Sequence, residues 1–150
     1  MPISEAAHDL LDATDTHNLD ALAMIFHEDL QFTVNGANAI NKAAALALNK
    51  TYFDAFSDWN FNFTEAKQTG NVMTVKFAVT GTHDGVLDLR PLGFDIQAAP
   101  TGKTIKLPES SATVTFDDTG QVIAMNLQQA EGASMMGMLA QLGVEPPAAG

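Results

Sequence analysis

The stretch from Asn71 to Gly85 alternates apolar and polar residues with a period of two, which is typical of a β-strand with one buried face. The apolar positions of this stretch are Met73, Val75, Phe77 and Val79. Continuing the alternation places Gly81 and His83 on the same face. The pattern therefore predicts a titratable imidazole near the end of a central strand, on the side that builds the core.

Periodicity also predicts the elements on either side of this strand. Apolar residues three and four positions apart predict helices at about 4–16, capped by Ser4, and at about 19–27, 41–56 and 135–142. Alternating residues predict further strands at 30–34, through Trp59, Phe61 and Phe63, at 103–116 with a bulge at Pro108, and at 122–129.

This order of elements indicates a fold class. Helices followed by an antiparallel meander predict an α+β fold, with the helices on one face of a curved sheet and residues 1–150 in one domain. The irregular connection over 85–100 is long for a small domain, which is typical of a lid or a mobile segment. The tail at about 145–150 is expected to fray.

Charge and composition narrow the range of partners. The 18 Asp and Glu residues outnumber the 7 Lys and Arg residues, which gives a net charge of −11. Without a basic stripe to neutralise phosphate groups, neither nucleic acid nor an anionic membrane surface is an expected partner. The chain has no cysteine, which excludes disulfides and thiolate chemistry. This lack, together with the absence of any apolar run near the ~18 residues of a membrane span, favours a cytoplasmic location.

Five short stretches resemble, in the same order, motifs of one known family. They are NLDALAMIFHEDL from Asn18 to Leu30, AFSDW from Ala55 to Trp59, GTHDG from Gly81 to Gly85, PTGK from Pro100 to Lys103, and QLG from Gln141 to Gly143. Together they are similar to the SnoaL-like polyketide cyclases, within the nuclear-transport-factor-2-like (NTF2-like) superfamily. The resemblance spans almost the whole chain.

The resemblance implies a cone, in which about three N-terminal helices and a short C-terminal helix accompany a strongly curved, mostly antiparallel sheet with an internal pocket. It also implies a homodimer formed through the sheet. Characterised cyclases of this family close a polyketide ring by intramolecular aldol condensation without a cofactor, and an aspartate on the last strand is their acid–base catalyst. This sequence has Asn126 and Ala130 where the family has a tryptophan and that aspartate, so the resemblance supports the fold more strongly than the reaction.

Three residues are candidate acid–base catalysts. His83 comes first, because an imidazole at the inner end of an apolar strand can exchange a proton near neutral pH. The alternative is a neutral histidine that holds the turn at 81–85 through backbone hydrogen bonds. Glu109 and Glu131 lie near predicted strand ends and could pair with His83, although each is also typical of a solvated position.

Candidate ligand contacts are two amides and a set of apolar side chains. Asn126 and Gln128 share one face of the last strand, so both point either into the pocket or into solvent, and inward amides would polarise a carbonyl group. The candidate pocket walls are Tyr52, Phe56, Trp59, Phe77, Met73 and Met125. Ordinary core packing is the alternative role of each wall residue.

Neither a metal nor another cofactor is expected, because no histidine pair has metal-ligand spacing and no phosphate-loop or nucleophile-elbow motif is present. The first functional hypothesis is a cofactor-independent enzyme, of cyclase or isomerase type, that acts on a small, polyketide-like carbonyl compound. The second is a non-catalytic protein that holds a small apolar molecule in the same cone. The third is a dimerisation module with a filled interior.

Overall fold

The computed structural model describes residues 4–36, 39–90, 95–130, 132–133 and 135–144. The helices of this part of the chain are α1 (Glu5–Asp15), α2 (Leu19–Ile25), α3 (Lys42–Ala55) and α4 (Met135–Leu142). Its strands are β1 (Phe26–Val34), β2 (Thr64–Thr69), β3 (Val72–Phe77), β4 (Thr80–Thr82), β5 (Leu87–Asp88), β6 (Gln97–Ala98), β7 (Thr104–Lys106), β8 (Ser110–Phe116) and β9 (Val122–Gln128). The predicted α+β fold is confirmed.

The first three helices begin at residues whose side chains accept a backbone N–H from the first helical turn. The donor–acceptor distances are 3.2 Å at Ser4, 3.0 Å at Asn18 and 2.9 Å at Asn41. These caps supply partners for amides that a helix leaves unpaired, so the helices begin close to the predicted positions. None of the helices in the described part of the chain has the length and apolar character that a bilayer crossing requires.

The main sheet has the strand order β1–β9–β8–β3–β2, and its neighbouring strands are antiparallel except for the parallel pair of β1 and β9. β4 and β7 continue β3 and β8 beyond a break and pair with each other. Pro108 lies in the break between β7 and β8, because proline has no N–H to donate to a ladder. The Leu107 N–H donates to the Val79 oxygen at 2.8 Å, which joins the two parts of the ribbon.

The strand predicted through residues 59–63 is not formed. The strand β2 begins only at Thr64. Asn62 takes a left-handed φ of 50°, which interrupts an extended chain. Its side-chain amide donates to the Ala78 oxygen at 2.8 Å and holds this conformation. The three aromatic residues of the segment nevertheless face the inside of the molecule.

The long connection after the central strand contains a small hairpin, in which β5 pairs with β6. The Leu89 N–H donates to the Ile96 oxygen at 2.9 Å, and the side chains of Leu87 and Leu89 are fully buried. The hairpin is therefore anchored to the core. Residues 91–94 of the predicted connection and the predicted frayed tail at 145–150 lie outside the described residues.

Gly85 lies against the end of α3, where there is no room for a side chain. A Cβ at this position would come within 2.0 Å of the Asp54 carbonyl oxygen. We expect Gly85→Ala to reduce the free energy of unfolding by about 3 kcal/mol, since either the helix end or the turn must move.

The matched control is Gly36→Ala, which adds a Cβ in open space at a φ of 74°. It should cost about 1 kcal/mol, the usual penalty for a side chain in the left-handed region. Urea unfolding followed by circular dichroism measures both variants. An equal loss of stability in the two would contradict the tight contact at Gly85.

Candidate functional site

A cavity lies between the helices and the inner face of the sheet. Its volume is about 130 Å³. Side chains from all four helices and from β1, β3, β8 and β9 form its walls. Because the lining is apolar apart from a few uncharged polar groups, the space is suited to a small organic molecule.

One side of the cavity is an aromatic wall, formed by Tyr52, Trp59, Phe61, Phe63 and Phe77. The Tyr52 and Trp59 rings are stacked, with centroids 4.7 Å apart and planes 3° from parallel. Phe61 meets Trp59 and Phe77 edge-on, at centroid distances of 5.7 and 5.8 Å. It also stacks on Phe63 at 5.3 Å. These contacts fix the ring positions, so the wall presents a preformed apolar surface.

Among the described residues, the polar side chains at the cavity are Thr14, Asn49, Tyr52 and Gln129, and no charged side chain lines it. Burial raises the pKa of the Tyr52 hydroxyl above its usual range, so the phenol stays protonated. Of these four, Tyr52 alone is predicted from the sequence. Asn49 lies three residues before Tyr52 on the same helix face, a spacing that could have identified it.

Five of the six predicted wall residues line the cavity: Tyr52, Trp59, Phe77, Met73 and Met125. Their contact with a ligand stays a prediction. Phe56 does not line the cavity, because it is fully buried where α3 ends. Its ring lies 5.4 Å from that of Trp59 and 5.3 Å from that of His83. Phe56 therefore belongs to the packed core beside the cavity.

His83 is buried, as the alternation of the central strand predicts, but it does not line the cavity. Its Nδ1 accepts the backbone N–H of Thr101 at 3.2 Å and lies 2.9 Å from the Thr101 hydroxyl oxygen. Its backbone N–H donates to the Lys103 oxygen, and its own oxygen accepts the Gly102 N–H, both at 2.9 Å. His83 thus joins the central strand to the loop at 101–103, which agrees with its alternative, structural role.

The turn that follows His83 is fixed to the end of α3. The Asp84 and Gly85 amides both donate to the Ala55 oxygen, at 3.1 and 2.9 Å. The Asp84 carboxylate accepts the Ser57 N–H at 3.0 Å and also the Ser57 hydroxyl. The GTHDG and PTGK motifs therefore hold a helix end, a strand end and a loop together.

The surroundings of His83 favour a neutral imidazole. Burial lowers its pKa, and the Gly85 backbone and the Asp84 charge oppose this shift only in part. Since Nδ1 accepts an amide proton, the neutral ring carries its own proton on Nε2. That nitrogen is sealed in the core and has no hydrogen-bond partner in the described part of the chain.

Asn126 and Gln128 lie on the outer face of the sheet, opposite the cavity. Met125 and Leu127, which alternate with them along β9, are the residues that line it. The Asn126 side-chain oxygen accepts the Thr33 hydroxyl of the neighbouring strand β1. Of the two orientations that alternation permits, pocket or solvent, the register of β9 on β8 selects the outer one.

Neither candidate carboxylate, Glu109 or Glu131, is observed in contact with His83. Glu109 is exposed on the outer face, where its carboxylate lies 3.9 Å from the Lys76 ammonium at a shallow groove. Glu131 lies outside the described residues. Within the described ranges, no group of three or more His, Asp or Glu side chains is arranged to hold a metal ion.

The family model of the SnoaL-like domain matches residues 7–125, which is most of the chain. The chain belongs to this family. Its curved sheet and helices form the NTF2-like fold that the sequence resemblance implies. No curated protein matches this SnoaL-like chain.

Solved structures with the same fold carry different assigned activities. A protein from Jannaschia sp. CCS1, assigned as a SnoaL-like polyketide cyclase, is 19% identical over 95% of this chain and 92% of its own, with a TM-score of 0.69. AclR from Streptomyces galilaeus, assigned as a hydroxylase, is 19% identical over 92% of this chain and 78% of its own, with a TM-score of 0.72. IdmH from Streptomyces antibioticus, assigned as a polyketide cyclase, is 18% identical over 93% of this chain and 97% of its own, with a TM-score of 0.68. At these identities the similarity shows the fold alone.

The buried neutral imidazole of His83 predicts that stability falls in mildly acidic solution. The unfolded chain binds a proton at His83 below about pH 6.5, whereas the folded state resists protonation. The contribution of His83 is therefore fully present above that pH and is lost as the pH falls towards the lower folded pKa. Urea unfolding at about pH 7.5 and about pH 5.5 measures the loss.

His83→Gln is the control, because glutamine does not titrate. The difference in the free energy of unfolding between the two pH values should be smaller in this variant than in the wild type. An identical pH dependence in the two proteins would show that His83 does not cause it.

Proposed function

We propose that this SnoaL-like protein binds a small apolar molecule in the cavity between its helices and its sheet. The lining carries the proposal, because it is apolar and aromatic and no described charged side chain contributes to it. Burying apolar ligand surface against such walls is favourable by roughly 25 cal/mol per Å². We assign the ligand contacts to the predicted wall residues at the cavity: Tyr52, Trp59, Phe77, Met73 and Met125.

The open interior favours binding over a purely structural role. A module that served only for dimerisation would be expected to fill its core, because unfilled apolar space forgoes packing contacts. A cavity of about 130 Å³ is instead left open behind the aromatic wall. Homodimer formation stays a prediction from the family resemblance, and sedimentation equilibrium measures it directly.

A cofactor-independent cyclase or isomerase that acts on a carbonyl compound is the second candidate. The similar structures that are assigned as polyketide cyclases favour it. However, His83 does not reach the cavity, and no carboxylate or imidazole of the described residues lines it. Acid–base chemistry would need another proton donor or acceptor. Binding without turnover therefore has the stronger support.

The fluorescence of Trp59 provides a test of binding, since it is the single tryptophan of the chain and lines the cavity. We expect the neutral probe N-phenyl-1-naphthylamine to quench this emission saturably, with one probe per chain. Val34→Phe, which enlarges a half-buried cavity residue, should weaken probe binding roughly tenfold by overpacking the space.

The matched control is Ile123→Phe, which adds an aromatic ring at an exposed position of β9 that does not line the cavity. It should leave the probe affinity unchanged. Equal affinities in the two variants, or no saturable quenching of the wild type, would contradict the proposed function.

The two candidate functions differ in what they require of His83. For a binding protein, we expect folded His83→Gln to retain the probe affinity of the wild type, because His83 makes no contact with the cavity. Binding should also be independent of pH between about 6 and 8, where no described cavity residue titrates. Turnover of a carbonyl compound that follows a near-neutral pKa and disappears in His83→Gln would instead favour the enzyme.

A further inference from the structure

The Tyr52 hydroxyl belongs to a cavity-lining side chain and has no hydrogen-bond partner in the described part of the chain. Two unpartnered nitrogens, Trp59 Nε1 and His83 Nε2, are sealed in the core, but the Tyr52 oxygen is not among these sealed atoms. Stacking on Trp59 at 4.7 Å holds the Tyr52 ring in place. Since this oxygen is open to the cavity and no described residue accepts its proton, the hydroxyl has a hydrogen bond left to donate to a molecule there.

Two other polar side chains at the cavity donate hydrogen bonds to backbone oxygens of their own helices. The Asn49 amide nitrogen, one turn before Tyr52 on α3, donates to the Ala45 oxygen at 3.0 Å. The Thr14 hydroxyl donates to the Leu10 oxygen at 2.7 Å. The Thr14 hydroxyl has thereby used its single proton, whereas the Asn49 amide keeps a second N–H. Of the two hydroxyls, that of Tyr52 is therefore the one whose proton remains for a ligand.

The surroundings of this hydroxyl disfavour a charged ligand. A carboxylate in the cavity would lose its hydration without gaining a counter-charge, since no described charged side chain lines the space. The burial that raises the pKa of Tyr52 also keeps its oxygen protonated, so it acts as a donor. An uncharged acceptor, such as a carbonyl oxygen, fits both conditions.

We propose that Tyr52 is a specificity-determining residue, whose hydroxyl donates a hydrogen bond to the carbonyl oxygen of an uncharged, ring-containing ligand packed along the aromatic wall. This inference rests on the proposed function and names the ligand class of that same site. A hydrocarbon of the same shape leaves the Tyr52 hydroxyl unpaired, which weakens its binding. A carboxylate of similar size is disfavoured by the desolvation of its charge.

The test compares three probes on one scaffold: 2-acetylnaphthalene, 2-isopropylnaphthalene and 2-naphthoate. Each probe displaces N-phenyl-1-naphthylamine from wild-type protein and from Tyr52→Phe. The wild type should bind the ketone roughly threefold to tenfold more tightly than the hydrocarbon, which is the gain from about one hydrogen bond. It should bind the carboxylate more weakly than the ketone.

Tyr52→Phe keeps the stacked ring and removes only the hydroxyl. It should bind the ketone and the hydrocarbon with equal affinity, and its affinity for the hydrocarbon should be at least that of the wild type, because no hydroxyl is left unpaired. Ser111→Ala is the matched control, because it removes a hydroxyl at the groove on the outer face of the sheet. This variant should retain the wild-type ratio of ketone to hydrocarbon affinity.

A ketone preference that persists in Tyr52→Phe, or no such preference in the wild type, overturns this inference and leaves the proposed function intact. If no neutral probe, N-phenyl-1-naphthylamine included, binds the folded wild type, the proposed function itself fails. Should Tyr52→Phe not fold, the wild-type affinities for the ketone and the hydrocarbon still decide whether the inference stands: equal affinities overturn it.

Discussion

The pairing register of β3, β8 and β9 is the constraint on which the cavity depends. Val75 lies opposite Ala112, and Ala112 lies opposite Leu127, so one row of inward side chains crosses three strands. Side chains alternate between the two faces, and a slip of one residue would exchange the inner row for the outer one. The outer row, one position along each strand, consists of Lys76, Ser111 and Gln128. The same register therefore builds an apolar wall inside and a polar surface outside.

Elements set by nearby residues could be predicted from the sequence, whereas features set by distant residues could not. The cap at Ser4 and the alternation of the central strand depend on local chemistry, and both are found in the structure. The interruption at Asn62 depends on a hydrogen bond to Ala78, sixteen residues later. The orientation of Asn126 depends on the pairing of β9 with β8, which alternation within one strand cannot select.

His83 shows that a side chain can point into the protein without lining the cavity. The cavity lies against β3 and β8, whereas His83 follows β4, beyond the break in the ribbon. Its neighbours there include the Phe56 ring and Thr101, a residue eighteen positions later in the chain. Within one fold family, activity is decided by the side chains that reach the internal space, and here those of the described residues are uncharged.

The hairpin of β5 and β6 is fixed on both sides, and none of its described residues lines the cavity. Before it, the amides at 84 and 85 bind the end of α3; after it, the loop at 101–103 binds His83. The entropy of closing a loop between fixed ends rises only with the logarithm of its length. A peptide inserted between β5 and β6 can therefore vary in length and composition at small thermodynamic cost. This makes the hairpin a natural point for introducing an epitope or an additional domain into the scaffold.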